Sequence, residues 1–481
     1  MTTPPGPYRT RPTATSAMPP GIPFIVGNEA AERFSFYGMK AILVVFMTQY
    51  LHAASGAADC MTETESREWL HLFVASAYFF PVLGAIVADA FLGKYLTILL
   101  LSLVYCAGHG CLALMDMPRP FLEATLDPRG WLLAGLALIA IGSGGIKPCV
   151  SAHVGDQFGT SNRHLLERVF GWFYFAINFG SFFSTLLTPW LLEHRSPGWA
   201  FGVPGILMAI ATLVFWIGRH RFVHVPPRGL AYFRETFTGE GLAAIGKLVP
   251  LYLLVAVFWS LYDQTGGAWV QQASQMDRRF LGINWLESQI QAVNPLLVLA
   301  FIPLFGLVVY PAVGRVVNFT SLRRILVGFM LTIAAFAISA RAQSLIDAEA
   351  ARLAAEGLGP DAARWPSVAW QLAAYVVITA AEVLVSITCL EFSYTQAPPQ
   401  MKSSVMSLYL LSVSLGNLFT AGVNMATRDA AGNTTLTGAT YYWFFVACMA
   451  VATLLLLPVL WLYRPREYLQ QEADDTPHRP H

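Results

Sequence analysis

The residues in this sequence that could do chemistry are charged side chains inside long apolar runs. Between positions 22 and 51 an otherwise apolar stretch carries Glu29, Glu32, Arg33 and Lys40. Positions 29, 33, 37 and 40 recur at helical spacing, and 29, 32 and 33 share one face. Later runs hold Lys147 in Gly142-Ser-Gly-Gly-Ile-Lys147-Pro148, Asp263 in Phe258-Trp259-Ser-Leu-Tyr-Asp263-Gln264, and Glu382 nine residues before Glu391. An ionisable group deep in a bilayer is costly and normally faces a bundle interior or a water-filled cavity. One use of such groups is internal ion pairing, for example Glu32 with Lys147. The other is ligand binding: Lys147, Asp263 and Glu382 stand on three different runs and carry both signs, which suits a ligand that itself carries both signs.

The elements that must position these groups follow from composition. The chain has 481 residues, 55% of them hydrophobic and 12% charged, against roughly 25% charged in a typical soluble chain. Its mean hydropathy is +0.52. A bilayer helix needs about 20 mostly apolar residues, and twelve such runs can be marked between positions 22 and 463. The first holds four charges after a polar, Pro-rich start, so it does not read as a cleavable signal peptide. The expected fold is an all-α membrane protein with twelve transmembrane helices in two six-helix bundles. Net charge is +1, which gives no footprint for a nucleic acid. The six cysteines are scattered without CxxC pairs or metal-ligand spacing, so no metal and no cofactor is expected.

Lys/Arg bias across short loops sets orientation. With a cytoplasmic N-terminus, seventeen Lys/Arg fall on inside segments and ten outside, so both termini are expected in the cytoplasm of a multi-pass inner-membrane protein. The organisation reads as a tail over 1-21, a six-helix bundle over 22-218, a basic linker over 219-246, a second bundle over 247-463 and a tail over 464-481. The linker is too polar and too short for an additional hairpin. The Ala-rich segment 346-366 reads as an external helical loop. Two halves around a midplane site is the plan of a rocking secondary transporter. The turn Gly84-Ala-Ile-Val-Ala-Asp89-Ala-Phe-Leu-Gly93-Lys94 resembles the loop between spans two and three of the major facilitator superfamily.

Five further motifs carry a closer resemblance: Glu29-Ala-Ala-Glu32-Arg33-Phe34-Ser-Phe36-Tyr37-Gly38, Gly144-Gly145-Ile146-Lys147-Pro148, Gly155-Asp156-Gln157-Phe158, Phe173-Tyr174-Phe-Ala-Ile177-Asn178-Phe-Gly180-Ser181, and Glu391-Phe392-Ser393-Tyr394 with the following residues to Ser403. In this order they resemble the proton-dependent oligopeptide transporter family, in particular its animal-like branch. The resemblance implies a major facilitator fold and symport of protons with di- and tripeptides. It assigns the peptide ammonium to Glu382, the peptide carboxylate to Lys147 and Lys40, and backbone orientation to Asn178 and Asn294. Tyr37, Tyr78, Trp259 and Tyr409 match the cavity lining, and Asp263 matches the partner of Lys40 in a gate pair. Proton coupling is implied for Glu29, Glu32, Arg33 and His71. Two positions depart from the family pattern. Lys40 replaces an arginine, exchanging a planar fork for a point charge, and Phe36 replaces a tyrosine, removing one cavity hydroxyl.

The resulting expectation is a proton-coupled peptide importer working as a monomer in the bilayer, not an enzyme, with no Walker lysine motif for ATP-driven export. A carrier of another small solute, such as nitrate or an amino-acid derivative, is the alternative; a single cationic site would suffice for nitrate. A transport-dead sensor is the other, and it would have no need to bury acids and bases on both halves.

Overall fold

A computed structural model describes residues 8–236, 239–359, 362–396, 402–429 and 434–463. The expected C-terminal tail 464-481 and residues 397–401 of the last motif lie outside the described residues. Among the described residues are twelve long helices. The first six are α1 (Ile22–Val45), α2 (Glu63–Ile86), α3 (Lys94–Leu114), α4 (Pro128–Asp156), α5 (Leu166–His194) and α6 (Pro197–Ile217). The second six are α7 (Gly239–Tyr262), α8 (Val293–Leu304), α9 (Ser321–Glu356), α10 (Ala369–Glu382), α11 (Lys402–Thr427) and α12 (Ala439–Leu462). Several continue through tighter or wider turns, including Phe46–Tyr50 after α1, Asp263–Gly266 and Ala268–Ser274 after α7, and Val383–Ile387 after α10.

Eleven of these helices are long and apolar enough to cross a membrane. The twelfth, α1, carries four charged residues and hides its glutamates: Glu29 is 1% exposed and Glu32 is fully buried. Its 24 residues span about 36 Å at 1.5 Å each. The chain is therefore a multi-pass membrane protein. On α6, Ile206, Ile210, Leu213 and Ile217 are exposed at helical spacing, an apolar stripe suited to lipid.

Local chemistry sets several helix limits. Thr62 caps α2 by accepting a hydrogen bond from the Glu65 amide at 3.1 Å, with Glu63 and Glu65 favourably placed against the helix dipole. The Ala-rich run after position 346 does not form a separate helical loop as expected. It continues α9 to Glu356, because nothing interrupts a strong helix former before Gly357 takes the left-handed conformation at φ 64°. Likewise α7 starts at Gly239, within the expected linker. No further membrane-length helix stands between α6 and α7 among the described residues. Near the start of the chain, the His224 amide donates to the Arg9 carbonyl at 2.7 Å, tying the N-terminal segment to the linker.

Two apolar cores form. One gathers residues of α1 to α6, the other residues of α7 to α12, and Tyr78 packs against both. The halves meet where α2 runs along α11 and α5 along α8. An even number of crossings places the start of α1 and the end of α12 on one face, here the terminal face. The polar contacts between halves gather near the opposite face and at mid-depth: Gln271 to Glu63 and Ser66, Gln289 to Leu186, Gln291 to Ala41, Arg428 to Glu68, and Ser414 to Ala75.

Close helix packing within the second half depends on Gly416. A Cβ there would lie 2.2 Å from the Ala256 carbonyl oxygen on α7, whereas a Cβ on Gly422 of the same helix would meet nothing within 4 Å. Overpacking of this kind costs about 1–3 kcal/mol. Gly416→Ala is therefore expected to lower the melting temperature of the detergent-solubilised protein, and Gly422→Ala to leave it unchanged or raise it slightly. Equal melting temperatures for the two variants would show that this contact relaxes at no cost.

Candidate functional site

The charged residues of α1 lie on one inward face and meet different partners along it. Arg33 Nε donates to Glu29 Oε1 at 2.7 Å and stands 3.3 Å from Glu32 Oε2. These three form a buried cluster with two carboxylates sharing one guanidinium. Two turns further on, Lys40 Nζ donates to Asp263 Oδ1 at 2.6 Å, joining α1 to the turn after α7 across the interface of the halves.

Asp263 is held from its other oxygen as well. Asn417 Nδ2 on α11 donates to Asp263 Oδ2 at 2.7 Å, and His71 Nδ1 on α2 stands 2.7 Å from Asn417 Oδ1. Because that amide oxygen is an acceptor, the imidazole donates and Nδ1 carries its proton. His71 is fully buried. The result is a chain Lys40–Asp263–Asn417–His71 drawn from α1, α7, α11 and α2. Sequence reasoning missed Asn417, since an asparagine among serines and leucines on α11 carries no signal until its neighbours are known.

A cavity of about 270 Å³ lies between the halves. Arg33, Tyr37, Lys40, Tyr78 and Asn178 line it from the first half, and Trp259, Asp263, Asn294 and Glu382 from the second. On the second-half wall, Asn294 Nδ2 donates to Glu382 Oε2 at 2.8 Å and to Thr379 Oγ1 at 3.0 Å, and its oxygen accepts from the Tyr262 hydroxyl at 3.3 Å. The amide oxygen expected to face a ligand is thus already engaged. Tyr174, Tyr262 and Tyr375 also line the cavity; as tyrosines inside apolar runs they resembled core residues.

Two expected site residues stand elsewhere. Tyr409 is 5% exposed, and its hydroxyl donates to the Ser386 carbonyl at 3.3 Å, so it packs behind the wall. Lys147 is not among the lining residues, and the ion pair with Glu32 or Glu29 is absent here. Its ammonium lies 3.8 Å from the Phe36 ring centroid and 4.2 Å from that of Tyr78, a cation–π arrangement, and Nζ has no hydrogen-bond partner. Arg33 has taken both glutamates instead. Glu391 is exposed near the terminal face, with its carboxylate 3.9 Å from Arg324.

Chemically, the cavity presents cations and hydroxyls on one half and two carboxylates with an amide on the other. It can bind a short molecule with an ammonium at one end and an anion at the other.

The comparisons with known proteins agree with this architecture. The model described as the POT family matches residues 95–238 and 232–444. Solute carrier family 15 member 2 of Rattus norvegicus is 38% identical over 388 residues, 72% of this chain and 52% of that protein. Peptide transporter family 1 of Drosophila melanogaster is 36% identical over 367 residues, 67% of this chain and 47% of that protein. The chain thus spans about half the length of the curated relatives it matches. Among solved structures, an auto-inhibited POT family peptide transporter is similar at 35% identity and TM-score 0.77, over 94% of this chain and 99% of that one.

The shared hydrogen bond between His71 and Asn417 can be isolated by a double-mutant cycle. Leaving either partner buried and unpaired costs about 1–3 kcal/mol. His71→Phe and Asn417→Leu should each lower the melting temperature, and the double variant should lose clearly less than their sum. Strictly additive losses would mean the two side chains do not act as a unit.

Proposed function

Because the chain belongs to the POT family, we propose that it is a proton-coupled symporter that imports di- and tripeptides across the cytoplasmic membrane by alternating access. It is a carrier in this reading, not an enzyme, and it works as a monomer with both termini in the cytoplasm. The face opposite the termini is then external. The observation that carries the proposal is the cavity with Lys40 and Arg33 on one half and Glu382 on the other. A short peptide presents one ammonium and one carboxylate a backbone length apart, whatever its side chains. A nitrate carrier has no use for Glu382.

In this mechanism Glu382 meets the peptide ammonium, with Asn294 fixing the carboxylate through its 2.8 Å bond. Lys40 and Lys147 meet the peptide carboxylate. Lys147 is suited to this because it has no oxygen partner and rests between two aromatic rings. Tyr37, Tyr78 and Asn178 hydrogen-bond the peptide backbone, and Trp259 lines a side-chain pocket; Tyr409 supports that wall from behind. Protons enter through Glu29, Glu32 and Arg33, where one guanidinium balances two buried acids, and through His71, whose bonding reaches Asp263 by way of Asn417. The Lys40–Asp263 pair is the gate on the external side, and it is closed here while the contacts between halves gather externally. The membrane potential supplies about 2.3 kcal/mol per charge per 100 mV.

Uptake of labelled dialanine into proteoliposomes, with and without an imposed pH gradient, tests the proposal directly. Accumulation is expected only with the gradient, and uptake indifferent to pH would remove proton coupling. The gate is tested by exchange of its charges: Lys40→Asp and Asp263→Lys should each abolish driven uptake, and the pair together should recover part of it. If the exchanged pair fails as completely as the single variants, the ion pair is not the gate.

The assignment of Glu382 is separable from these. Glu382→Gln should weaken dialanine binding by the worth of a charge-assisted hydrogen bond, about 1.5–3 kcal/mol. N-acetyl-dialanine, which has no ammonium, should bind the parent poorly and lose little more in the variant. Equal losses for the two ligands would leave Glu382 with a structural or proton-handling role.

A further inference from the structure

Ion pairs join the two halves at two depths. Lys40 with Asp263 holds mid-depth, and toward the face opposite the termini Arg428 Nη1 stands 2.9 Å from Glu68 Oε2. The second pair lies outside the central site, and neither of its members lines the cavity there.

Its surroundings aim the two charges at each other. Glu68 lies in the second turn of α2, and Arg428 directly follows Thr427, the last residue of α11, where the helix dipole favours a cation. The backbone leaving α11 is fixed: the Thr435 amide donates to the Thr427 carbonyl at 2.7 Å, Arg428 is bridged to Thr434, and the hydroxyls of Thr427 and Thr434 stand 3.1 Å apart. The neighbouring charges on α2 are directed elsewhere. Glu65 meets Arg129 at 3.3 Å, and the Arg67 guanidinium lies 4.6 Å from the Tyr441 ring centroid.

The two partners differ in burial. Glu68 is 4% exposed, whereas the Arg428 side chain is 37% exposed. The acid therefore has the more to lose: without the guanidinium it would be a buried charge with no counter-ion, the costly outcome of breaking a pair from one side. Parting the halves puts it in water and relieves that cost. The pair consequently acts on the balance between closed and open arrangements.

Glu68 also shares a face of α2 with His71 and Ala75, at positions i, i+3 and i+7. His71 meets Asn417, and the Ala75 carbonyl accepts from Ser414 Oγ at 2.7 Å, both on α11. From the face inward, the α2–α11 seam thus runs Glu68–Arg428, His71–Asn417, Ala75–Ser414. The middle step continues through Asp263 to Lys40. Water entering this seam meets Glu68 and Arg428 before it reaches that line. We propose that Glu68 and Arg428 form an outer latch, in series with the Lys40–Asp263 pair, that sets how often the seam opens toward the face opposite the termini. Both are positioning residues. That the opening admits peptide rests on the transporter reading; the latch itself rests on the geometry.

A buried thiol reports opening without any transport step. Ser66 is fully buried on α2 and accepts from Gln271 of the other half, so Ser66→Cys places the reporter in the seam. Cys60, which is exposed, is changed to alanine, and the same protein with Ser66 retained gives the background. Labelling of the purified full-length protein in detergent by a charged maleimide at low concentration follows the population of the open form. Arg428→Gln should raise the labelling rate about fivefold, between the worth of an exposed ion pair and that of a buried one. Arg428→Lys, which keeps the charge, should label close to the parent rate. Adding Glu68→Gln to Arg428→Gln should bring the rate back toward the parent, because no acid is then stranded. Arg428→Met takes the place of Arg428→Gln if that variant does not fold. An unchanged rate in the neutral variant overturns the proposal, as does a rise that Arg428→Lys reproduces in full or that persists undiminished once Glu68 is also neutral. Uptake of dialanine by the parent is a separate measurement: its failure would overturn the transporter reading and leave the latch where the labelling puts it.

Discussion

A carboxylate buried at the seam between two helix bundles has to be shared, and much of this structure follows from how Asp263 is shared. Taking an isolated charge out of water costs several kcal/mol even after relaxation. Asp263 is 4% exposed, and both its oxygens are engaged, one by the Lys40 ammonium and the other by the Asn417 amide. Those partners come from α1 and α11, and His71 on α2 closes the line behind Asn417. A single acid thus fixes how four helices from both halves stand relative to one another at mid-depth. Removing one partner would strand the others, so the pair is costly to break singly and cheap to exchange for an equivalent pair. A ligand carrying both signs is such an equivalent.

The helices and the inward charges were legible in the sequence because both follow from the solvent. Residues facing lipid must be apolar over about 20 positions, and Glu29, Glu32, Arg33, Lys40, Asp263 and Glu382 break that rule only where they can turn inward. Lys40 with Asp263 was legible through the family resemblance, which pairs the two positions, and the structure joins them. α1 shows the limit of the hydropathy signal. It carries four charges and is not among the eleven apolar spans, yet more than half of its residues are buried.

What could not be read was partner choice among groups within reach of one another. Glu32 had Arg33 and Lys147 as candidate partners, and rotamer geometry on one helix decided for Arg33. Lys147 was left to Phe36 and Tyr78, and the substitution at position 36 that looked like the loss of a hydroxyl supplies one of the two ring faces over which the ammonium sits. Tyr409 was misjudged in a different way. Its span was right, but which face of a helix points to the cavity is set by packing, and a tyrosine fits either side. Residues 346 to 356 failed on propensity: the charge content argued against a membrane span, and the alanines then carried the helix on beyond it.

The distribution of polarity along the seam bears on how the halves could move. Contacts toward the face opposite the termini are made by glutamines, a serine and one ion pair, Arg428 with Glu68. When such a seam parts, each group exchanges a protein partner for water, and the net worth of a typical hydrogen bond is about 0.5–1.5 kcal/mol. An apolar seam of the same extent would lose about 25 cal/mol for every Å² exposed with nothing regained. A polar seam therefore keeps the closed and open arrangements within a few kcal/mol of each other, which is the range over which a bound ligand or a proton can decide between them. The mid-depth pair is the exception, because water reaches it least. Its separation needs charges to replace those withdrawn, and in the proposed mechanism the peptide and the proton bring them. The apolar cores lie mostly within each half, with Val270 and Tyr78 crossing between them. The exchangeable chemistry is confined to the surface between them.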